Sequence, residues 1–414
     1  MASFSFGAGN AKKLARLPLY GIGRLVTLVT PRGGRWVFGC GAGIADGALA
    51  VWDAASERGI DAVWLTTTDD EAREAARRGI PNLPKMSARG FWATARARVA
   101  VVTHGFGDVN PYAVTGAFVA QLWHGIPLKR IGLDAPEMVR SAFLPGSAAV
   151  RRLIAWMYRR SAQRIGVIPA ASHLVRGRLE SAFGISDAHV AVTGEPRVDV
   201  LSRGSADERR RAARELVARA AGPVPDGRRL LLYAPTWRDG DPDPGVPSGD
   251  EWRDLIALLE EHDAQLMIRS HRLGEGDYAP PAATDRVSLL GADLLADVTP
   301  ALPAFDALIT DYSSLVYDAA LVPLPALFLA PDVDDYAARR GFYGSYAEIA
   351  GEDVAATWGE LLPEIARFLG QDEERDRRTR KAVALTSRMH AFHDGGNTRR
   401  VLDEILRRIG EAKP

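Results

Sequence analysis

The chain has a single cysteine, little lysine and no long apolar run. Cys40 stands alone in 414 residues, which excludes an intramolecular disulfide framework and any CxxC zinc or redox site. No stretch approaches the roughly 18 consecutive apolar residues of a membrane-crossing helix, so none is expected. Residues 11–30 carry basic groups on both sides of a short apolar stretch and lack a clear cleavage site. They do not read as a signal peptide, and a cytoplasmic protein is the expectation. Only six of the 52 basic residues are lysine, a bias that a GC-rich genome explains without any chemistry. No period of 20–50 residues recurs, which argues against solenoids and propellers.

What is present is globular in character. Hydrophobic residues make up 47% and charged residues 25%, so collagen-like, coiled-coil and largely disordered chains are excluded. The length suits two domains, each with its own core. The formal net charge is zero, yet residues 1–200 hold 25 basic and 15 acidic residues while 201–414 hold 27 and 37. The halves are therefore +10 and −10, which suggests an anionic partner for the first. There is no RNP, zinc-finger or helix-turn-helix pattern, so nucleic acid is not the expected partner.

Both halves alternate short apolar runs with helical patterns. Arg35–Phe38, Ala62–Thr66, Val99–Thr103, Phe118–Trp123 and Arg164–Ile168 read as strands in the first half, with helices over Gly47–Arg58 and Asp69–Arg78. The second half places strands at Arg229–Ala234, Gln265–Arg269, Ala307–Thr310 and Ala326–Leu329, and helices at Glu251–Glu261 and Ala356–Leu369. This spacing predicts βαβ units and parallel sheets. Two Rossmann-like α/β domains facing a central cleft are expected, spanning 1–200 and 201–414. The charged helix Ala206–Ala221 follows the boundary, and the Asp-, Pro- and Gly-rich loop Asp239–Asp250 is expected to be mobile.

Polar residues cluster where strands end. Gly39–Gly43 follows a strand, but its spacing is not GxGxxG, and a tight turn accounts for it. The apolar run ending in Gln121-Leu122-Trp123-His124-Gly125 puts His124 at a C-terminal strand edge, where open α/β sheets bind ligands. A histidine there either takes a proton from a hydroxyl or serves as a hydrogen-bonded loop residue. Lys129 and Arg130 follow closely and suit phosphate. Arg197, in Thr193-Gly194-Glu195-Pro196-Arg197, fits an anion clamp or a solvated turn. Thr236, Trp237 and Arg238 end one strand of the second half, and Arg269, Ser270 and His271 end the next. Asp311, Ser313 and Ser314 lead from a strand into a helix, where hydroxyls cap the helix or meet phosphate. Three such strand ends favour a shared anionic ligand.

Residues 140–164 interleave Arg140, Arg151, Arg152, Arg159, Arg160 and Arg164 with Leu153, Trp156 and Tyr158, and contain no acid. That pattern fits a helix on an anionic membrane or a core-packed helix with a solvated basic face. Lys12, Lys13, Arg16 and Arg24 form a second basic stretch with the same two readings. His390 and His393 lack an accompanying carboxylate motif, so no metal site is expected.

The segments QLWHGIPLKRIG, VTGEPRVDVL, LLYAPTWRD, IRSH, LITDYSSLVYDAA, DVDDYAARRGFY and FHDGGNTRR follow the order found in the CDP-glycerol glycerophosphotransferase family, which includes teichoic acid primases and polymerases. The chain resembles that family from about Trp36 to Arg400. It departs at Gly39–Gly43, which lacks an Asp-Asn pair, and at Arg272, where proline is usual. The resemblance implies a GT-B-type fold, with an N-terminal acceptor-binding, membrane-proximal domain and a C-terminal domain for a CDP-linked donor. It implies transfer of glycerol phosphate, or a related polyol phosphate, to a lipid-linked or polymeric acceptor with release of CMP. His124 would be the general base, and His271 with Arg269 would stabilise the departing CMP. Arg197, Thr236, Ser313 and Ser314 would hold donor phosphates, with Asp311 and Trp237 shaping the site. Lys129, Arg130, Arg151, Arg152, Arg159 and Arg160 would face the acceptor or an anionic membrane. No cofactor is implied. A glycosyltransferase using a nucleotide sugar, or a non-catalytic membrane-surface protein of the same fold, would share the fold-level features.

Overall fold

The computed structural model describes residues 17–135, 147–236, 238, 243–269 and 278–411. His271 and Trp237 lie outside the described residues, as do Arg140 and the basic residues Lys12, Lys13 and Arg16. The chain forms two compact units. Unit one holds the chain up to Ile126, Arg130–Asp199 and the chain from Ala391 on; unit two holds Pro127–Lys129 and Val200–His390.

Unit one is built on seven strands: β1 (Trp36–Phe38), β2 (Ala62–Thr66), β3 (Asn82–Pro84), β4 (Val99–Val102), β5 (Phe118–Gln121), β6 (Ile165–Ala170) and β7 (Val190–Val192). They run parallel in the order β3-β2-β1-β4-β5-β6-β7. β4 (VAVV) is buried along its whole length, the continuous apolar run expected of a parallel strand covered on both faces. Trp36, Phe38, Trp52 and Trp64 form the aromatic centre of one face. Burying each such ring contributes about 1.5–3 kcal/mol.

Unit two has six parallel strands: β8 (Arg229–Ala234), β9 (Ala264–Ile268), β10 (Val287–Leu289), β11 (Ala307–Thr310), β12 (Ala326–Leu329) and β13 (Val354–Ala355). Their order is β10-β9-β8-β11-β12-β13. In each unit the strand order reverses at one point, between β1 and β4 and between β8 and β11. Ligands of doubly wound sheets bind at the carboxyl ends of the strands flanking such a point.

The end of the chain departs from the expected 201–414 domain. Helix Asn397–Glu411 returns to unit one, where Val401, Leu402, Ile405 and Ile409 enter the cluster around Trp36 and Trp52. Asp199 fixes its start, accepting from the amides of Asn397 (2.9 Å) and Thr398 (2.8 Å). Gly194 lies so close to Asn397 that any Cβ there would collide with its amide. The GEPRVD and DGGNTRR segments thus meet as a helix cap.

The loop expected to be mobile is anchored over its described part. The Gly245 carbonyl accepts from Tyr233 Oη and Trp358 Nε1, both at 2.9 Å. Asp243 accepts from Tyr278 Oη at 2.6 Å. The loop's aspartate and glycine supply acceptors that buried aromatic donors need.

Candidate active site

In unit one the loops after β1, β4 and β5 converge on a pair of imidazoles. The Gly39-Cys40-Gly41 turn passes so close to the β4 loop that a Cβ on Gly39 would strike the Asp108 backbone, and one on Gly41 would strike the His104 ring. The Gly41 N–H donates to His104 Nδ1 at 3.2 Å, and Thr103 Oγ1 lies 2.7 Å from the same nitrogen. Asp108 closes the loop, accepting from the amides of Thr103 (2.9 Å) and His104 (2.7 Å). The His104 ring then stacks on His124, with centroids 4.4 Å apart and planes 4° from parallel.

His124 sits at the C-terminal edge of β5, as expected. The Trp123 ring lies 4.3 Å from that of His124, tilted by 33°, and Trp123 adopts φ +63°, a left-handed conformation costing a bulky residue about 1–3 kcal/mol and typical of functional sites. Burial, reinforced by His104 and Arg197 and opposed by the Thr103 carbonyl, lowers the His124 pKa to about 3. The ring is therefore neutral at physiological pH. Its Nδ1 is buried and has no hydrogen-bond partner among the described residues. Burial likewise lowers the His104 pKa, against the pull of Asp108 and Asp46. Cys40 is buried and accepts from Thr103 Oγ1 at 3.1 Å; burial, then Asp46, raises its thiol pKa. Arg197 belongs to this unit, where its Nε lies 3.3 Å from Asp46 Oδ1.

In unit two a buried ion cluster organises the switch point. Asp311, 3% exposed, accepts from the amides of Thr236 (2.8 Å) and Tyr312 (2.5 Å) and pairs with Arg238 at 2.9 Å. Arg238 also grips Asp332 with two nitrogens, at 2.9 and 2.8 Å. Its guanidinium lies over the Tyr312 and Tyr336 rings at 5.0 and 5.1 Å. Burial alone would lower the Arg238 pKa and raise that of Asp332, but their pairing reverses both. The ends of β8 and β11 are thereby tied together, presenting Thr236, whose Oγ1 is buried and has no partner among the described residues. Ser313 Oγ accepts from the Leu315 amide at 3.3 Å, and Ser314 precedes helix Leu315–Ala320 without a side-chain cap.

The expected residues therefore fall into separate groups. Thr236, Asp311, Ser313 and Ser314 share one sheet edge. Arg269, at the end of β9, spends its donors on the carbonyls of Leu290, Leu295 and Ala296. Lys129 departs from the expected basic surface: it bridges Phe342 within unit two and lies 5.8 Å from the Tyr336 ring. Burial, with Arg340 and Arg238 and against Asp311, lowers its pKa to about 8. Arg130 is exposed in unit one. Arg151, Arg152, Arg159 and Arg160 are exposed on helix Ala148–Ala162, beside exposed Leu153, Trp156 and Met157. Only Ala162 of this helix is buried. One organising residue escaped sequence reasoning, and the partners of another were not legible. His104 carries no motif, since it meets His124 through strand pairing. Arg238 was visible at the end of β8, but its two carboxylates come from distant loops.

Comparison with known proteins gives a consistent picture. Residues 41–407 match the family described as CDP-Glycerol:Poly(glycerophosphate) glycerophosphotransferase. The chain is 24% identical over 342 residues to the teichoic acid glycerol-phosphate transferase of Staphylococcus aureus, covering 79% of this chain and 81% of that one. It is 26% identical to the teichoic acid ribitol-phosphate polymerase TarK of the same organism, over 55% of this chain and 42% of that one. The chain thus spans less than half of that polymerase. The structure of the wall teichoic acid polymerase TagF superposes with a TM-score of 0.76 at 21% identity, over 97% of both chains. The fold is accordingly GT-B-like.

Proposed function

The chain belongs to the CDP-glycerol:poly(glycerophosphate) glycerophosphotransferase family, and on that premise we infer that it moves glycerol phosphate from a CDP-linked donor to an acceptor hydroxyl in teichoic-acid-type polymer synthesis. The acceptor oxygen attacks the donor's β-phosphorus, the bond to the CMP oxygen breaks, and the hydroxyl proton passes to His124. The observation that carries this reading is a neutral imidazole stacked on a second, anchored imidazole at a C-terminal strand edge. A neutral ring can accept a proton, and general-base assistance contributes about 10²–10⁴ in rate.

Unit two holds the donor. Thr236 Oγ1, Ser313 and Ser314 meet the donor phosphates, and Asp311 fixes the loop that presents them. Arg269 contributes a positive field from its carbonyl-bound guanidinium, and His271 neutralises the departing CMP. Lys129, beside Asp311, adds charge on the donor side, and Arg197 and Arg130 serve the phosphates approaching unit one. Phosphoryl transfer depends mainly on such positioning and charge neutralisation. The discriminating experiment measures CMP released from CDP-glycerol with a lipid-linked acceptor, comparing wild type with His124→Ala. A rate loss of at least about 100-fold is expected; equal rates would refute the base assignment.

The acceptor is lipid-linked or a polyol-phosphate chain, presented at an anionic membrane on the cytoplasmic side. Two helices of unit one support this. No described helix is long and apolar enough to cross a membrane. Leu17–Val29, however, exposes Leu19, Ile22, Leu25 and Leu28, and Ala148–Ala162 exposes Leu153, Trp156 and Met157 among arginines. Burial, then Arg24 and Arg160, lowers the Arg164 pKa, so cationic groups of both helices crowd one place. Apolar side chains within a basic face are what an anionic lipid surface binds.

A further inference from the structure

His104 is held more firmly than a loop histidine requires. Its Nδ1 accepts the Gly41 N–H, its amide donates to Asp108, and Thr103 Oγ1 bridges the space between His104 and Cys40. Gly41 has no room for a side chain because the ring occupies that space. Acceptance at Nδ1 leaves the ring proton on Nε2 in the neutral tautomer. All these restraints act on a ring whose face lies parallel to His124.

We propose that His104 is a positioning residue for proton transfer at His124. Parallel stacking is a favoured arrangement of two rings, and here one of the two is fixed from behind. The β1 and β4 loops fix His104, and the stacked His104 ring sets the plane of His124 from one face. A base held in plane needs no reorientation when the acceptor hydroxyl arrives, and small misplacements of a reacting group cost about 10²-fold. His104 takes no proton itself: the proton goes from the acceptor oxygen to His124 as the new O–P bond forms and CMP leaves. Two charged rings at this separation would repel, so His104 must stay neutral while His124 is charged. The other charged or titratable groups bearing on the pair are Arg197, Asp46, Asp108 and Cys40.

The inference rests on His124 being the base, and the experiment separates the two. kcat, donor KM and the pH profile of kcat/KM are measured for wild type, His124→Asn, His104→Asn and His104→Phe, with melting midpoints alongside. Asn keeps an acceptor for the Gly41 N–H but removes the ring; Phe keeps the ring. His104→Asn should lower kcat at least tenfold with donor KM unchanged. It should also move the acidic limb to higher pH, since removing the ring admits water to His124, whose low pKa comes first from burial. His104→Phe should recover most of kcat. A His104→Asn enzyme with wild-type kcat and pH profile, beside an inactive His124→Asn, would overturn the positioning role and leave the base assignment standing. An active His124→Asn would overturn the base assignment itself. Loss of activity in both His104 variants together with a collapsed melting midpoint would make His104 a residue of the fold and overturn the proposal.

Discussion

At the scale of single residues, His124 departs far from its solution behaviour. Its pKa near 3 means that the free enzyme keeps a neutral base until the solution is strongly acidic. Protonation removes the base, so activity controlled by His124 is lost as pH falls toward 3, not near the ~6.5 of free histidine. A pH profile of kcat/KM should therefore show no His124 limb between pH 6 and 8; a limb near 6.5 that vanishes in His124→Asn would contradict the buried geometry. His124 was legible in the sequence because an apolar strand ends on it. His104 was not, because Val99 pairs with Phe118 and only that register brings the loops after β4 and β5 side by side. Lys129 misled for the opposite reason: it neighbours Arg130 in sequence, yet it pairs with Phe342.

Among elements, strands with continuous apolar runs were legible, and their ends were accurate to one or two residues. β8, β9, β11 and β12 are buried along nearly their whole length, so their composition alone announces them. The short edge strands β3, β7, β10 and β13 did not stand out, since two or three residues give no periodicity. Neither did the C-terminal helix, whose home in unit one depends on Asp199. That aspartate caps the helix from about 200 positions away, so Asp199→Ala strips two buried amides of their acceptor. A loss of about 3 kcal/mol is expected, seen as a melting midpoint lower by about 6–12 °C; an unchanged midpoint would show that the helix docks through its apolar face alone. Arg238 is the corresponding tie in unit two. Arg238→Lys keeps the charge but not the planar fork that reaches both Asp311 and Asp332. Donor KM should rise about tenfold with a smaller change in kcat, measured by CMP release over a range of donor concentration.

For the whole molecule, the balanced charge of 52 against 52 hides two opposed units. On the proposed reading, the acidic half would bind an anionic donor through Arg238, Arg269 and the hydroxyls at one sheet edge, local groups outweighing the overall field. The basic half displays arginines among exposed apolar side chains, as a lipid surface requires. Changing Arg151, Arg152, Arg159 and Arg160 to glutamine should weaken co-sedimentation with anionic vesicles at least about tenfold, at roughly 1 kcal/mol per basic residue. Binding to neutral vesicles should change little, and equal loss on both would point to the apolar face instead. The two-unit α/β architecture was legible from strand–helix alternation. The fold alone, however, does not select a polyol phosphate over a sugar; membership of the glycerophosphotransferase family favours the former. The most direct measurement is therefore nucleotide release from CDP-glycerol, CDP-ribitol and UDP-sugars with a lipid-linked acceptor. CMP release from a CDP-polyol that disappears in His124→Ala is the predicted result, and UDP release from a nucleotide sugar with no CMP from either polyol donor would contradict it.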